Sequence, residues 1–113
     1  MITRLWRGWT RPENAEAYEQ FLLRELFPAM RDISGFLGAD VLSREDGPET
    51  AFVTLTRFAS LDAITAFAGE DYETPVLEPP ALALLSRYED RAYHFETSSF
   101  SSAPPWSPGG GTQ

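Results

Sequence analysis

ITRLWRGW, residues 2–9, has the two-residue alternation of a β-strand. Arg4 and Trp6 would share one face of that strand, and Arg7 and Trp9 would share the other. Because each face carries a large aromatic side chain, neither face is expected to be fully solvated. The chain therefore opens on a strand that is at least partly covered on both sides.

The segments after this strand alternate between helix and strand patterns. The predicted elements are a helix after Pro12 that ends before Gly35, strands over 36–44 and 50–58, a helix over 60–69, a short helix from Pro79 to about Ser86 and a strand over 88–96. The main elements follow a β-α-β-β-α-β order. That order predicts an α+β domain in which helices cover one face of a four-stranded sheet.

The first helix has an apolar face and two local signals. The apolar positions with helical spacing are Tyr18, Phe21, Leu22, Leu26, Ala29, Met30 and Ile33. Pro28 is expected to kink or split the helix, because it lacks an N–H and crowds the preceding turn. Thr10 lies three residues before Glu13, which is the spacing of an N-terminal capping box.

The strand over 50–58 has two unlike faces. The aliphatic face favours packing against helices, and the face of aromatics and hydroxyls favours a ligand cavity or an interface. The first set is Ala51, Val53, Leu55 with Arg57, and the second is Phe52, Thr54, Thr56 and Phe58. Because the strands place large apolar side chains on both faces, a monomer would expose an extended apolar patch. We therefore expect a homodimer in which two sheets pair face to face.

The composition excludes several classes of function. The chain has no Cys, no Lys and one His, which excludes thiol chemistry, lysine Schiff bases and a transition-metal site built from one chain. A net charge of −8 argues against nucleic acid and anionic membranes as partners. The acidic cluster of Glu70, Asp71 and Glu73 lacks calcium-loop spacing and is interpreted as a solvated loop. With no membrane-spanning run and no signal-peptide pattern, we expect a cytoplasmic protein. We also expect that the protein uses no metal or cofactor.

Length and composition divide the chain into one domain over residues 1–97 and a tail over 98–113. The tail is rich in Ser, Pro and Gly, which predicts a mobile segment. Phe100 and Trp106 within it favour a second interpretation, in which the tail wraps a partner subunit.

Three stretches resemble small proteins of the antibiotic-biosynthesis-monooxygenase type, within the dimeric α+β-barrel superfamily. They are Ile2-x-Arg4-x-Trp6-x-Gly8, Phe67-Ala68-Gly69-Glu70-Asp71-Tyr72 and His94-Phe95-Glu96. The resemblance covers residues 1–97. It implies a ferredoxin-like βαββαβ sandwich whose four-stranded antiparallel sheet pairs with a second copy to form a dimeric barrel with a cavity.

The resemblance also implies two kinds of activity. Family members include cofactor-free oxygenases of aromatic polyketides, which use Asn, Trp and Tyr, and haem-degrading enzymes, which use Asn, Trp and a helix-borne His. The only histidine here is on the last strand, so the haem-degrading set does not map onto this chain. Trp6, Tyr72 and Tyr93 are residue types that the oxygenases use.

The candidate site gathers around the first and last strands. In a ferredoxin-like sheet these strands are neighbours, which would bring His94 next to Arg4 or Trp6. His94 is the candidate base for a phenol, because its charge changes near neutral pH, and Arg4 is the candidate anchor for an anion. The candidate substrate-binding side chains are Trp6, Tyr72, Phe58 and Tyr93.

Structural roles compete with these assignments. His94 would in that case only bond a neighbour such as Glu96 or Arg4, and Arg4 or Arg7 would pair with Glu89 or Asp90 on the adjacent strand. Tryptophans on such strands are more often core or dimer contacts than ligand contacts.

Three functions are left open by the sequence. The leading one is a cofactor-independent monooxygenase acting on a small aromatic, polyketide-type molecule. The alternatives are a non-catalytic domain that binds a small hydrophobic ligand, and a structural dimeric domain whose cavity is filled by its own side chains.

Overall fold

The computed structural model describes residues 1–102, so most of the predicted tail, Trp106 included, lies outside the described residues. The strands are β1 (Ile2–Thr10), β2 (Phe36–Asp46), β3 (Glu49–Phe58), β4 (Leu85–Tyr88) and β5 (Tyr93–Glu96). The helices are α1 (Ala15–Phe21), α2 (Phe27–Met30), α3 (Leu61–Ala68) and α4 (Pro79–Leu84), with a 3-10 turn at Pro12–Asn14 and a π-helical turn at Leu22–Leu26. Within residues 1–102, no helix combines the length and the apolar character needed to cross a bilayer.

The five strands form a single antiparallel sheet with the order β2-β3-β1, and both β4 and β5 pair with the remaining edge of β1. β5 runs beside the first half of β1 and β4 beside its end. The last segment of the sheet thus lies next to the first strand, which is the ferredoxin-like order. The predicted α+β fold class is confirmed.

The single strand predicted over 88–96 is wrong in its middle, because the chain leaves β1 between β4 and β5. The Glu89 N–H still donates to the Arg7 carbonyl at 3.0 Å. The Ala92 N–H instead donates to the Glu73 carbonyl at 2.7 Å, in the connection between α3 and α4. This detour holds the connection against the edge of the sheet.

The first helical run is split before Pro28, as the sequence predicted. The Phe27 N–H donates to the Leu22 carbonyl, five residues back, which makes the turn π-helical. Pro28 has no N–H with which to continue a regular ladder. The extra residue in this turn rotates the apolar side of the helix, so Phe27 is buried and Ala29, expected to face inward, is exposed.

The two predicted helix caps have different outcomes. Ser60 caps α3, and its Oγ accepts a hydrogen bond from the Ala63 N–H at 3.2 Å. The capping box predicted at Thr10 is not formed. Thr10 ends β1 instead, and its buried hydroxyl has no hydrogen-bond partner within residues 1–102.

The hydrophobic core lies between the helices and the sheet face that carries Phe52 and Phe58. These side chains are 2% and 0% exposed and belong to one cluster with Met30 and Ile64. The aliphatic face of β3, predicted to pack against helices, lies on the uncovered side of the sheet. The prediction placed the helices on the wrong face of β3, because large aromatic rings fill the space between helix and sheet better than Ala and Val do.

Gly35 and Gly47 provide a test of how closely the turn before β2 approaches α3. Both have positive φ, +93° and +62°, so Ala at either position is strained by about 1–2 kcal/mol. A Cβ at Gly35 would also lie 2.9 Å from the Ala63 Cβ, whereas one at Gly47 would meet nothing within 4 Å. We expect Gly35→Ala to lower the free energy of unfolding in urea by about 1–3 kcal/mol more than Gly47→Ala does. Equal losses in the two variants would contradict this contact.

Candidate ligand-binding site

A cavity lies between the helix-covered face of the sheet and the first helical run. It contains about 560 Å³ of space free of atoms, part of it open to solvent. Its floor is formed by Arg4, Trp6, Thr54 and Thr56, and residues 75–78 lie along its mouth. Its roof is formed by Tyr18, Phe21, Leu22, Leu26, Phe27 and Met30. The lining is mostly apolar, as is typical of small-molecule sites.

Arg4 is a buried cation, 4% exposed, with no acidic partner within residues 1–102. Nη1 donates to the Tyr72 carbonyl and to Nε2 of His94, 3.0 Å away. Nη2 donates to the Thr74 carbonyl at 3.1 Å. A guanidinium has five N–H donors, so two, on Nε and Nη2, have no acceptor in this part of the chain. Burial lowers the pKa of Arg4 to about 10, so the side chain stays charged at neutral pH.

The ion pair considered for Arg4 is formed by Arg7 instead. Arg7 Nη2 lies 2.5 Å from the Glu89 carboxylate, on the uncovered side of the sheet. The two arginines point to opposite faces because they are three residues apart on one strand. The ion pair that the sequence offered for Arg4 or Arg7 is therefore confirmed for Arg7 with Glu89, and within residues 1–102 Arg4 has none.

His94 lies directly opposite Arg4 in the register of β5 against β1, as the predicted sheet order requires. An arginine N–H can only donate, so Nε2 is the accepting nitrogen and we assign the neutral ring protonated at Nδ1. Burial, and then the charge of Arg4, lower the pKa of His94 below its ordinary value. His94 does not line the cavity, so a ligand there meets Arg4 rather than the imidazole.

Of the four aromatic residues predicted to bind substrate, Trp6 alone lines the cavity. The backbone carbonyl of Tyr72 accepts a hydrogen bond from Arg4. The Tyr72 ring packs edge-on against the His94 ring, with centroids 5.1 Å apart. Phe58 is fully buried in the core. Tyr93 is 50% exposed and lies on the uncovered face of the sheet.

Sequence reasoning missed the mouth of the cavity and part of its roof. The solvated-loop interpretation was limited to Glu70, Asp71 and Glu73, and residues 75–77 of the same connection were given no role, yet they line the cavity. An apolar triplet inside an otherwise acidic segment was the available signal. Tyr18 was assigned to the core by its helical spacing, and that spacing cannot distinguish a side chain that fills space from one that lines it.

The arrangement is suited to small flat anions. A desolvated cation with free donors attracts a carboxylate or phenolate strongly, because little solvent competes for either group. The aromatic and aliphatic lining removes the rest of such a molecule from water. Within residues 1–102, no group of three or more His, Asp or Glu side chains is placed to hold a metal ion.

The single histidine gives a direct test of the Arg4–His94 contact, because its imidazole NMR signals need no assignment. We expect the titration midpoint of His94 in the folded protein to lie below the ordinary value of 6.5, since burial and Arg4 both disfavour the charged ring. Arg4→Gln should move the midpoint upward, because it removes the charge and keeps most of the burial. A midpoint at or above 6.5 in the unmodified protein would contradict the contact.

The same shift makes stability depend on pH. Above 6.5 the ring is neutral in both the folded and the unfolded chain, so it adds no slope. Between 6.5 and the lower folded pKa, the unfolded chain binds a proton that the folded chain does not, so stability falls as pH falls. We expect the loss of unfolding free energy between pH 7.5 and pH 5.5, measured in urea, to be smaller in His94→Gln than in the unmodified protein.

Comparisons with known proteins agree on the fold. Residues 1–73 match the family model described as antibiotic biosynthesis monooxygenase. A mutant of SnoaB from Streptomyces nogalater, described as a cofactor-independent oxygenase, is 17% identical, with 90% of this chain and 97% of SnoaB covered and a TM-score of 0.60. Among proteins of curated function, none matches the sequence.

Two further solved structures are similar to this chain. Rv0793 from Mycobacterium tuberculosis is 21% identical, with 89% of this chain and 98% of its own covered and a TM-score of 0.56. A mutant of MhuD with two manganese protoporphyrin IX molecules per active site is 20% identical, with 91% and 100% covered and a TM-score of 0.56. At these identities the structures show a shared fold. The family match over more than half of the sequence shows that this chain belongs to the antibiotic biosynthesis monooxygenase family.

Proposed function

We propose that the protein binds a small aromatic anion in this cavity and oxidises it with molecular oxygen, without a cofactor. The observation that carries the proposal is Arg4, a buried cation that lines a mostly apolar cavity and has no acidic partner in the described chain. SnoaB shares the fold and is described as a cofactor-independent oxygenase, which supports the same class of reaction here.

A phenol or enol reacts with oxygen through its anion. The free N–H donors of Arg4 would hold the anionic oxygen with charge-assisted hydrogen bonds and so lower the pKa of the substrate hydroxyl. In an anthrone-type substrate a ring CH₂ group becomes a carbonyl. One oxygen atom of O₂ enters the product and the other leaves as water with the two hydrogens. The substrate supplies all four electrons, so no external reductant is needed.

His94 enters this proposal as the residue that positions Arg4. The sequence-based hypothesis made it the base, but its Nε2 accepts a hydrogen bond from Arg4 and its ring lies outside the cavity lining. It would take a substrate proton only after Arg4 released Nε2. In our proposal the proton leaves through the open mouth, where Glu78 is the acidic side chain of the lining.

Haem is suggested by one structural neighbour, because MhuD holds two manganese porphyrins. The residues here do not fit such a group. The described lining offers no imidazole as an iron ligand, and Nε2 of the only histidine is occupied by Arg4. We therefore route no step through haem.

A non-catalytic ligand-binding domain is the second candidate. It is favoured by the lack of a histidine in the described lining of the cavity, since binding needs the cationic anchor but no base. This candidate predicts affinity that depends on Arg4 without uptake of oxygen. The third function, a structural domain with a filled cavity, predicts no affinity for any aromatic anion.

Arg4→Gln tests the anion site, with Arg24→Gln as a control that removes the same charge from an exposed helical position. With 1,8-dihydroxyanthrone as the probe, we expect the unmodified protein to consume one O₂ for each anthraquinone formed, in an oxygen electrode and by absorbance. Arg4→Gln should lower the rate about 10-fold or more, because a hydrogen bond to a charged group contributes about 1.5–3 kcal/mol. Arg24→Gln should keep the full rate.

Two results would contradict the proposed oxidation. One is a full rate in Arg4→Gln, and the other is an equal loss in both variants. Arg4-dependent binding with no oxygen uptake would favour the ligand-binding domain instead.

We also propose that the uncovered face of the sheet pairs with the same face of a second copy. Side chains on this face form an apolar patch made of Leu5, Leu42, Val53, Leu55 and Tyr93. Leu42 is 48% exposed in the single chain. An ion pair between Arg57 and Asp40, 2.6 Å apart, lies beside the patch. A patch of this kind, rimmed by charged residues, is typical of a protein interface.

Leu55→Glu tests this pairing, because it would bury a carboxylate at the centre of the proposed interface. Leu23→Glu is the matched control on the first helical run, where the leucine is 47% exposed. By sedimentation velocity we expect the unmodified protein and Leu23→Glu to be dimers and Leu55→Glu to be a monomer. A monomeric unmodified protein, or a dimeric Leu55→Glu, would contradict the face-to-face arrangement.

A further inference from the structure

Tyr18 is a buried donor that the proposed chemistry does not yet use. Its side chain is 1% exposed and lines the cavity. No hydrogen bond of its hydroxyl is formed with residues 1–102, and its ring meets Phe52 edge-on with centroids 5.0 Å apart. Burial raises the pKa of Tyr18, so the phenol keeps its proton at neutral pH.

A hydroxyl that lines a cavity and has no hydrogen-bond partner in the described chain is free to donate to a bound ligand. The Tyr18 hydroxyl is therefore available to an acceptor that enters the cavity from outside. Because the phenol is neutral and Arg4 is the only cation in the lining of the described chain, an acceptor at Tyr18 has no nearby cation to neutralise a charge. The acceptor that fits is an uncharged oxygen, such as a carbonyl.

The part of the sheet on which Tyr18 packs is displaced along β1 from Arg4. Tyr18 packs on Phe52, which lies opposite Gly8 in the sheet. Arg4 is four residues from Gly8 along β1, and this corresponds to roughly 13 Å between backbone positions. Trp6 lies between Arg4 and Gly8 along β1, lines the cavity and offers a flat apolar surface.

We infer that Tyr18 determines specificity by donating a hydrogen bond to an uncharged carbonyl oxygen of a ligand whose anionic oxygen is held by Arg4. The ligand class is a flat aromatic molecule with an ionised group at one end and a ketone or quinone carbonyl at the other. This inference rests on the anion site of the proposed function, and it adds the second point of recognition.

Two matched pairs of aromatic acids test this inference by isothermal titration calorimetry. They are 4-acetylbenzoate with 4-isopropylbenzoate, and 6-acetyl-2-naphthoate with 6-isopropyl-2-naphthoate. Within a pair the acid and the shape are nearly the same, and only one member has the carbonyl. The benzoate and naphthoate rings hold the carbonyl at two different distances from the carboxylate. The two pairs therefore test ligands of two lengths.

Tyr18→Phe removes only the hydroxyl. We expect it to weaken binding of the better acetyl acid about 5- to 10-fold and to leave its isopropyl partner within about 2-fold, the size of one neutral hydrogen bond. Tyr88→Phe is the control, because it removes a hydroxyl from a 42% exposed tyrosine outside the cavity lining. It should change neither affinity.

The outcomes separate this inference from the proposed function. If the acids bind in an Arg4-dependent way but Tyr18→Phe changes the acetyl and isopropyl members equally, or changes neither, the role of Tyr18 is overturned and the anion site is kept. If the unmodified protein binds none of the four acids, the anion site is overturned and the role of Tyr18 with it. A larger loss for the acetyl acid alone supports the inference.

Discussion

The side-chain hydrogen bonds of Arg4 connect three parts of the molecule that are distant in sequence. From β1, the guanidinium reaches His94 on β5 and two carbonyls of the connection between α3 and α4. Burying this charge is costly, and the neutral imidazole and the two carbonyls offset part of the cost without cancelling the charge. Arg4 therefore holds the elements around the cavity together, and it is also the only cation in the cavity lining of the described chain.

The roof of the cavity depends on a different constraint, the missing N–H of Pro28. The π-helical turn before it moves Phe27 inward, where a regular helix would present Ala29. Tyr18, before the turn, Leu22, at its start, and Phe27, directly after it, line the cavity together.

Much of the fold could be predicted from the sequence, because period and turn chemistry are local. The contact between Arg4 and His94 could be predicted from the strand order alone, since directly paired residues in adjacent strands lie side by side on one face. The helices were predicted on the wrong face of β3 because composition does not say which side the helices cover. The gap between β4 and β5 and the position of residues 75–78 depend on contacts with distant backbone groups, and no local pattern records them.

The gap in the last strand has a consequence for the edge of the sheet. A continuous strand over 88–96 would present a long row of unpaired N–H and C=O groups to other chains, and such rows are templates for aggregation. Here that edge is divided into two strands of four residues each, and the chain between them turns away to bond the Glu73 carbonyl. The same detour that supports the ligand cavity therefore protects this edge from pairing with a foreign strand.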